Sequence, residues 1–181
     1  MNIRAAVLTL GIMTAASTTR AQNPARVAIP FRTYVAVNPL GIPFDIGSIE
    51  VESGVAQGIT VGGVASYTSL GDDRYTTLDL KFRYYPSEVV LDGFALGLSI
   101  GRTHLSTLTF VPATSTEQRT AIDFPTLGIL VDYNWMLGAR RRFVVGTGLG
   151  AKRVLASSER RDPLNVDPAY VTARFVVGLA F

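Results

Sequence analysis

Residues 172–181 read TARFVVGLAF. Counted back in twos from the end, Phe181, Leu179, Val177, Phe175 and Ala173 form one set. Ala180, Gly178, Val176, Arg174 and Thr172 form the other. Side chains of an extended strand alternate between its two faces, so the segment predicts a strand with one apolar face and one small or charged face. The same period of two recurs along the chain, and sustained helical spacing does not. Candidate strands are 31–38, 46–53, 59–68, 75–85, 94–103, 124–137, 143–153 and 170–181, each bounded by turn residues.

The first residues stand apart from this pattern. MNIR carries a charge, AAVLTLGIMTAA is an apolar run too short to span a bilayer, and STTRAQ follows with small residues at Thr19 and Ala21. Residues 1–21 are therefore expected to be a cleaved export signal, with residues 22–181 forming one domain. The chain has seventeen Lys and Arg against fourteen Asp and Glu; losing Arg4 and Arg20 with the signal leaves fifteen, a net charge of +1. A near-neutral domain lacks the basic footprint that nucleic acid requires. With no cysteine, thiolate chemistry, disulfides and a cysteine-linked lipid are excluded.

The connectors GVAQG, PSEVVLDG and GARRR are short, whereas 104–123 and 155–169 are long and polar. Short turns thus fall at one end of the strands and longer loops at the other, as in up-and-down barrels of the bacterial outer membrane. Three features orient the wall. The polar set carries Gly62, Gly97, Gly101, Gly128, Gly146, Gly148, Gly150 and Gly178, which suit the narrow interior of a small barrel. It also carries Arg32, Lys81, Arg83, Lys152 and Arg174 with Glu50, Glu52, Asp79 and Asp132, expected as a structural charge network inside the lumen. The apolar set gathers Phe31, Tyr84, Phe94, Trp135, Phe143 and Phe181 near the short turns, as an interfacial girdle would. The expectation is an all-β, eight-stranded, antiparallel, transmembrane barrel. A soluble barrel with an oily centre is the alternative, since alternation by itself fits both.

The closing TARFVVGLAF resembles the C-terminal insertion signal that outer-membrane proteins present to the barrel-assembly machinery. On that likeness Val171, Phe175, Val177, Leu179 and Phe181 form the assembly signal. Further blocks are IEVE, KFRYYP, GFALGLSIG, LVDYNWMLG and FVVGTGLGAKR. Together they resemble a family of small Gram-negative outer-membrane β-barrels of unknown function, with the architecture of the OmpA transmembrane domain and OmpX. The resemblance implies an outer-membrane location, a monomer, and outer-membrane lipids and lipopolysaccharide as surroundings. It carries no catalytic residue across, and, in a departure from the OmpA pattern, no peptidoglycan-binding domain is expected after the last strand.

Chemistry has a thin basis. The one histidine, His104, stands two residues before Ser106, on the same side of an extended strand. That pairing resembles small outer-membrane lipid A deacylases, but neither an orienting acid nor oxyanion donors can be identified from the sequence. Arg102 has outward parity near the long-loop rim, where it could meet lipopolysaccharide phosphates. Adjacent Asp72 and Asp73 read as a turn rather than a metal site. No cofactor and no catalysis are expected, and the role expected is structural or interactive at the envelope surface.

Overall fold

The computed structural model describes residues 32–111, 116–157 and 166–181, with the side chains of 109–118 outside that description. The segment read as an export signal and the girdle residue Phe31 lie outside the described residues. Eight strands follow one another around a closed antiparallel barrel. They are β1 (Thr33–Val37), β2 (Ile46–Ala56), β3 (Ile59–Leu70), β4 (Asp73–Tyr84), β5 (Gly93–Val111), β6 (Thr116–Leu137), β7 (Phe143–Val154) and β8 (Ala169–Ala180). Each strand pairs with its sequence neighbour, and β1 closes on β8 through Tyr34↔Ala180 to Val37↔Val177. Closure matters because an open edge would leave a row of backbone groups unpaired. Two of the turns at the short end use glycine in the left-handed region, Gly58 at φ 68° and Gly138 at φ 83°, where any side chain would be strained.

Two features depart from the expectation. The stretch 104–123, read as a loop, is mostly strand: β5 and β6 run 19 and 22 residues and remain paired out to Val111↔Thr116. Beyond Ser106 on the β4 side and Thr126 on the β7 side the hairpin has no further strand beside it and is held by its own ladder and by β-favouring Thr, Leu and Val. The second departure is in the closing seam. β8 pairs with β7 from Ala169 to Leu179 but with β1 only from Val177 onward, because β1 has just five residues. Above that point the chain turns through Asn38, whose side chain accepts from the backbone of Leu40 and Gly41, into a 3-10 turn at Ile42–Phe44.

The wall has its apolar side out. Leu78, Ile129 and Leu149 are each more than 60 % exposed, and Leu80, Phe82, Leu96, Leu98, Ile100, Leu127 and Val131 share that face. Tyr84, Phe94, Trp135, Phe143 and Phe181 stand on it near the short turns, and Tyr133 lies 4.6 Å from Trp135, centroid to centroid. Of the C-terminal set, Val171, Val177, Leu179 and Phe181 face outward and Phe175 is half-buried.

Inside, the filling is layered. Tyr34, Ala36, Leu91, Met136, Val144, Val176 and Ala180 pack at the short-turn end. Leu105, Phe124 and Val154 pack at the other, against Tyr75, Ile122 and Tyr170. Charged residues occupy the middle.

Candidate functional site

The middle layer is built by parity. On β2, Glu50 and Glu52 point inward; on β4, Lys81 and Arg83; on β6, Asp132 and Asn134; on β8, Arg174. Glu50 accepts from Lys81 at 3.0 Å, from Arg83 Nη2 at 3.2 Å, from Arg174 Nη2 at 2.7 Å, and from the Tyr34 hydroxyl. Glu52 accepts from Tyr34 at 2.6 Å, Thr60 at 2.5 Å, Tyr85 at 2.9 Å, and Arg83 Nη1. Arg83 Nε donates to Asp132 at 2.6 Å, so one guanidinium fork joins three carboxylates on two strands. Arg174 Nη1 donates to Asn134 at 2.9 Å, and Asn134 Nδ2 donates onward to Tyr85 at 2.9 Å. Such charge-assisted bonds polarise one another, and the cluster balances three cations against three carboxylates.

Asp79 and Lys152 are brought together separately at 2.5 Å, nearer the long-loop end. Arg32 is a correction: it is exposed just ahead of β1 and stands outside the cluster. Its parity is inward and its carbonyl accepts from Gly54 of β2, but it lies past the last pairing of Thr33 with Phe181, at the short-turn rim, where it is exposed. Without it the interior carries Lys81, Arg83, Lys152 and Arg174 against Glu50, Glu52, Asp79 and Asp132, and the count becomes even.

Glycines make room for these groups. A methyl group added at Gly148 would strike the Asp132 carboxylate, one at Gly101 the Asp79 carboxylate, and one at Gly146 both Asn134 and Arg174. The carboxylates lie flat over the glycine of the next strand, which leaves Asp79 Oδ1 and Asp132 Oδ1 with no hydrogen bond among the described residues. Tyr34, Thr60, Tyr85 and Asn134 went unnoticed in the sequence. Three of them sit two residues beyond an identified charge, Tyr34 after Arg32, Tyr85 after Arg83 and Asn134 after Asp132, so strict counting in twos along each strand would have found them.

A second polar group lies on the outside of the wall. Arg102 faces outward, with its side chain 72 % exposed, and its Nε is 3.4 Å from Asp123 Oδ1. His104 Nδ1 is 3.3 Å from the same oxygen. Ser106 shares the face of His104 and accepts from Arg119 Nη1 at 3.2 Å. Asp72 and Asp73 are placed at the β3–β4 turn. Among the described residues no three His, Cys, Asp or Glu side chains converge as metal ligands.

No family model and no curated protein matches the chain. Among solved structures it is similar to the N-terminal β-barrel domain of Pseudomonas aeruginosa OprF, with a TM-score of 0.50 over 82 % of this chain and 96 % of that one. Sequence identity is 11 %, so the likeness is one of fold.

Proposed function

We propose that the chain is an integral barrel of the bacterial outer membrane, exported by its first 21 residues and inserted with the short turns in the periplasm. Its lumen is closed by paired side chains, and its role is structural or interactive at the envelope surface, without catalysis or cofactor. It acts as a monomer, inserted by the barrel-assembly machinery through Val171, Phe175, Val177, Leu179 and Phe181. One observation carries this reading: the wall turns leucine, isoleucine and valine outward and keeps its charge network within. That polarity is the inverse of a soluble barrel. In water it would expose a continuous apolar belt with nothing to offset the cost, whereas in lipid a closed barrel satisfies every backbone group. Carbonate washing of an outer-membrane fraction tests the location; the protein should stay with the pellet, and release into the supernatant would overturn the assignment. In planar bilayers the refolded protein should give no unitary conductance steps. Reproducible steps would sink the closed lumen.

A second reading, hydrolysis of acyl esters in outer-leaflet lipids, is favoured by one contact. Asp123 lies where an orienting acid for His104 would be needed. Against it, Ser106 is engaged by Arg119, and among the described residues oxyanion donors have no candidate. Replacing His104 by Ala and comparing lipid A acylation by mass spectrometry decides the matter, an unchanged profile ending this reading.

A further inference from the structure

The outward arginines are confined to one side of the barrel. On β4 to β7 the apolar run ends at Leu78, Ile100, Leu127 and Ala151, and the outward positions beyond carry Arg74, Arg102, Arg119 and Arg153. All four are exposed. The register sets two of them near one level: Arg153 is opposite Leu127, itself opposite Ile100, two residues from Arg102, whereas Arg74, level with Ser106, and Arg119, level with Leu108, stand four and six residues farther out than Arg102. On β8, β1, β2 and β3 the corresponding outward positions are Ala169, Val37, Gly47, Tyr67 and Ser69, with no cation among the described residues. Ordinary snorkelling at a membrane rim would distribute lysine and arginine around the circumference.

Beside the arginines, on β2 to β5, is a shallow groove. Gly63 and Ala65 on β3 form its floor, and Ile49, Val51, Leu78, Leu80 and Ile100 rise around it, leaving an open depression of about 550 Å³. Leu78 and Ile100 thus border the groove while Leu78 is paired with Arg102, so the polar patch and the apolar channel are continuous.

We propose that this face binds a bis-phosphorylated, multiply acylated saccharide of the outer leaflet, the chemistry of the lipid anchor of lipopolysaccharide. This rests on the outer-membrane reading above. Strands are about 4.7–4.9 Å apart and rise about 3.3 Å per residue, so the backbones of Arg102 and Arg153, two strands and two residues apart, are separated by roughly 12 Å, with Arg74 and Arg119 farther out. One phosphodiester headgroup reaches one of that pair, whereas two phosphates on a rigid disaccharide reach both. Arg102 spends Nε on Asp123 and Arg119 spends Nη1 on Ser106, which leaves each guanidinium with further donors for a phosphate oxygen. Among the described side chains Asp123 is the one outward carboxylate on β5 and β6, and Arg102 and His104 already engage it. Among the described residues neither Arg74 nor Arg153 has an ion-pair partner. The groove takes one acyl chain, and its gain is fit rather than transfer from water, since the chain is in hydrocarbon either way.

Native mass spectrometry of the full barrel released from detergent, with bis-phosphorylated lipid A, its monophosphorylated form and phosphatidylglycerol offered in turn, tests the proposal. The bis-phosphorylated lipid should be retained at least tenfold more than phosphatidylglycerol, with the monophosphorylated form between them. The double variant Arg102→Ala/Arg153→Ala should abolish that preference, and Ala65→Leu, which fills the groove, should weaken retention with the phosphate ranking intact. Equal retention of all three lipids, or a double variant that behaves as wild type, would overturn it. Heat-modifiable migration on gels is read on the same samples, so a variant that fails to form the barrel is told apart from one that only loses the lipid. Failure of the outer-membrane reading would show separately, in the carbonate wash.

Discussion

Arg83 and Arg102 project from adjacent strands in opposite directions, and their surroundings differ as much as two arginine sites can. Arg83 is 2 % exposed and meets three carboxylates. Arg102 shares a single carboxylate with His104 in the open. The inner guanidinium has been taken out of water, so each of its partners is needed to offset desolvation. The outer one keeps its hydration and gives little to the fold. The same residue type is structural in one place and available for recognition in the other, and which it becomes is set by the side of the wall its parity selects.

Breaking the inner site should have the largest effect. Glu52→Ala removes a partner from Arg83, Tyr34, Thr60 and Tyr85 at once, leaving buried charge uncompensated at a cost of about 3–5 kcal/mol. The temperature at which the folded band shifts on a gel should fall sharply; wild-type behaviour would argue against an enclosed network. Next comes an arginine on the wrong face. Val131→Arg, in the outward run of β6, should cost about 2–4 kcal/mol near the bilayer midplane, measured by urea titration in lipid. Little change there would mean that this face does not meet hydrocarbon.

Gly148→Ala sharpens the comparison from inside, because the new methyl displaces the Asp132 carboxylate from Arg83. Overpacking of that kind costs about 1–3 kcal/mol, and the same titration should register it. Arg102→Ala should be the mildest, within about 1 kcal/mol of wild type, since an exposed ion pair contributes little. A large loss would place Arg102 in the structural framework and remove the contrast.

Most of the architecture was legible because a barrel strand repeats one rule. TARFVVGLAF already separates an apolar from a polar set, and the alternation elsewhere placed all eight strands. The errors fell where that rule stops applying. Arg32 has inward parity but lies at the rim, past the last pairing of Thr33 with Phe181, and the outer parts of β5 and β6 leave the apolar belt, so neither could be judged by pattern. The site was half legible. Counting in twos found the charged residues of the interior, but not that Asp79 and Lys152 stand apart from the other six, nor that hydroxyls and an amide stitch those six together.

The sequence by itself determined the period of two, the two faces and the near-equal charge on one of them, since these follow from residue order along a strand. The tertiary structure decided who pairs with whom. Strand tilt and register fix how far apart positions on different strands lie, and that displacement brings Arg83 to Asp132 across 49 residues and sets the outward Arg102 and Arg153 near one level beside an apolar groove. Neither distance is written in the spacing of residues along the chain.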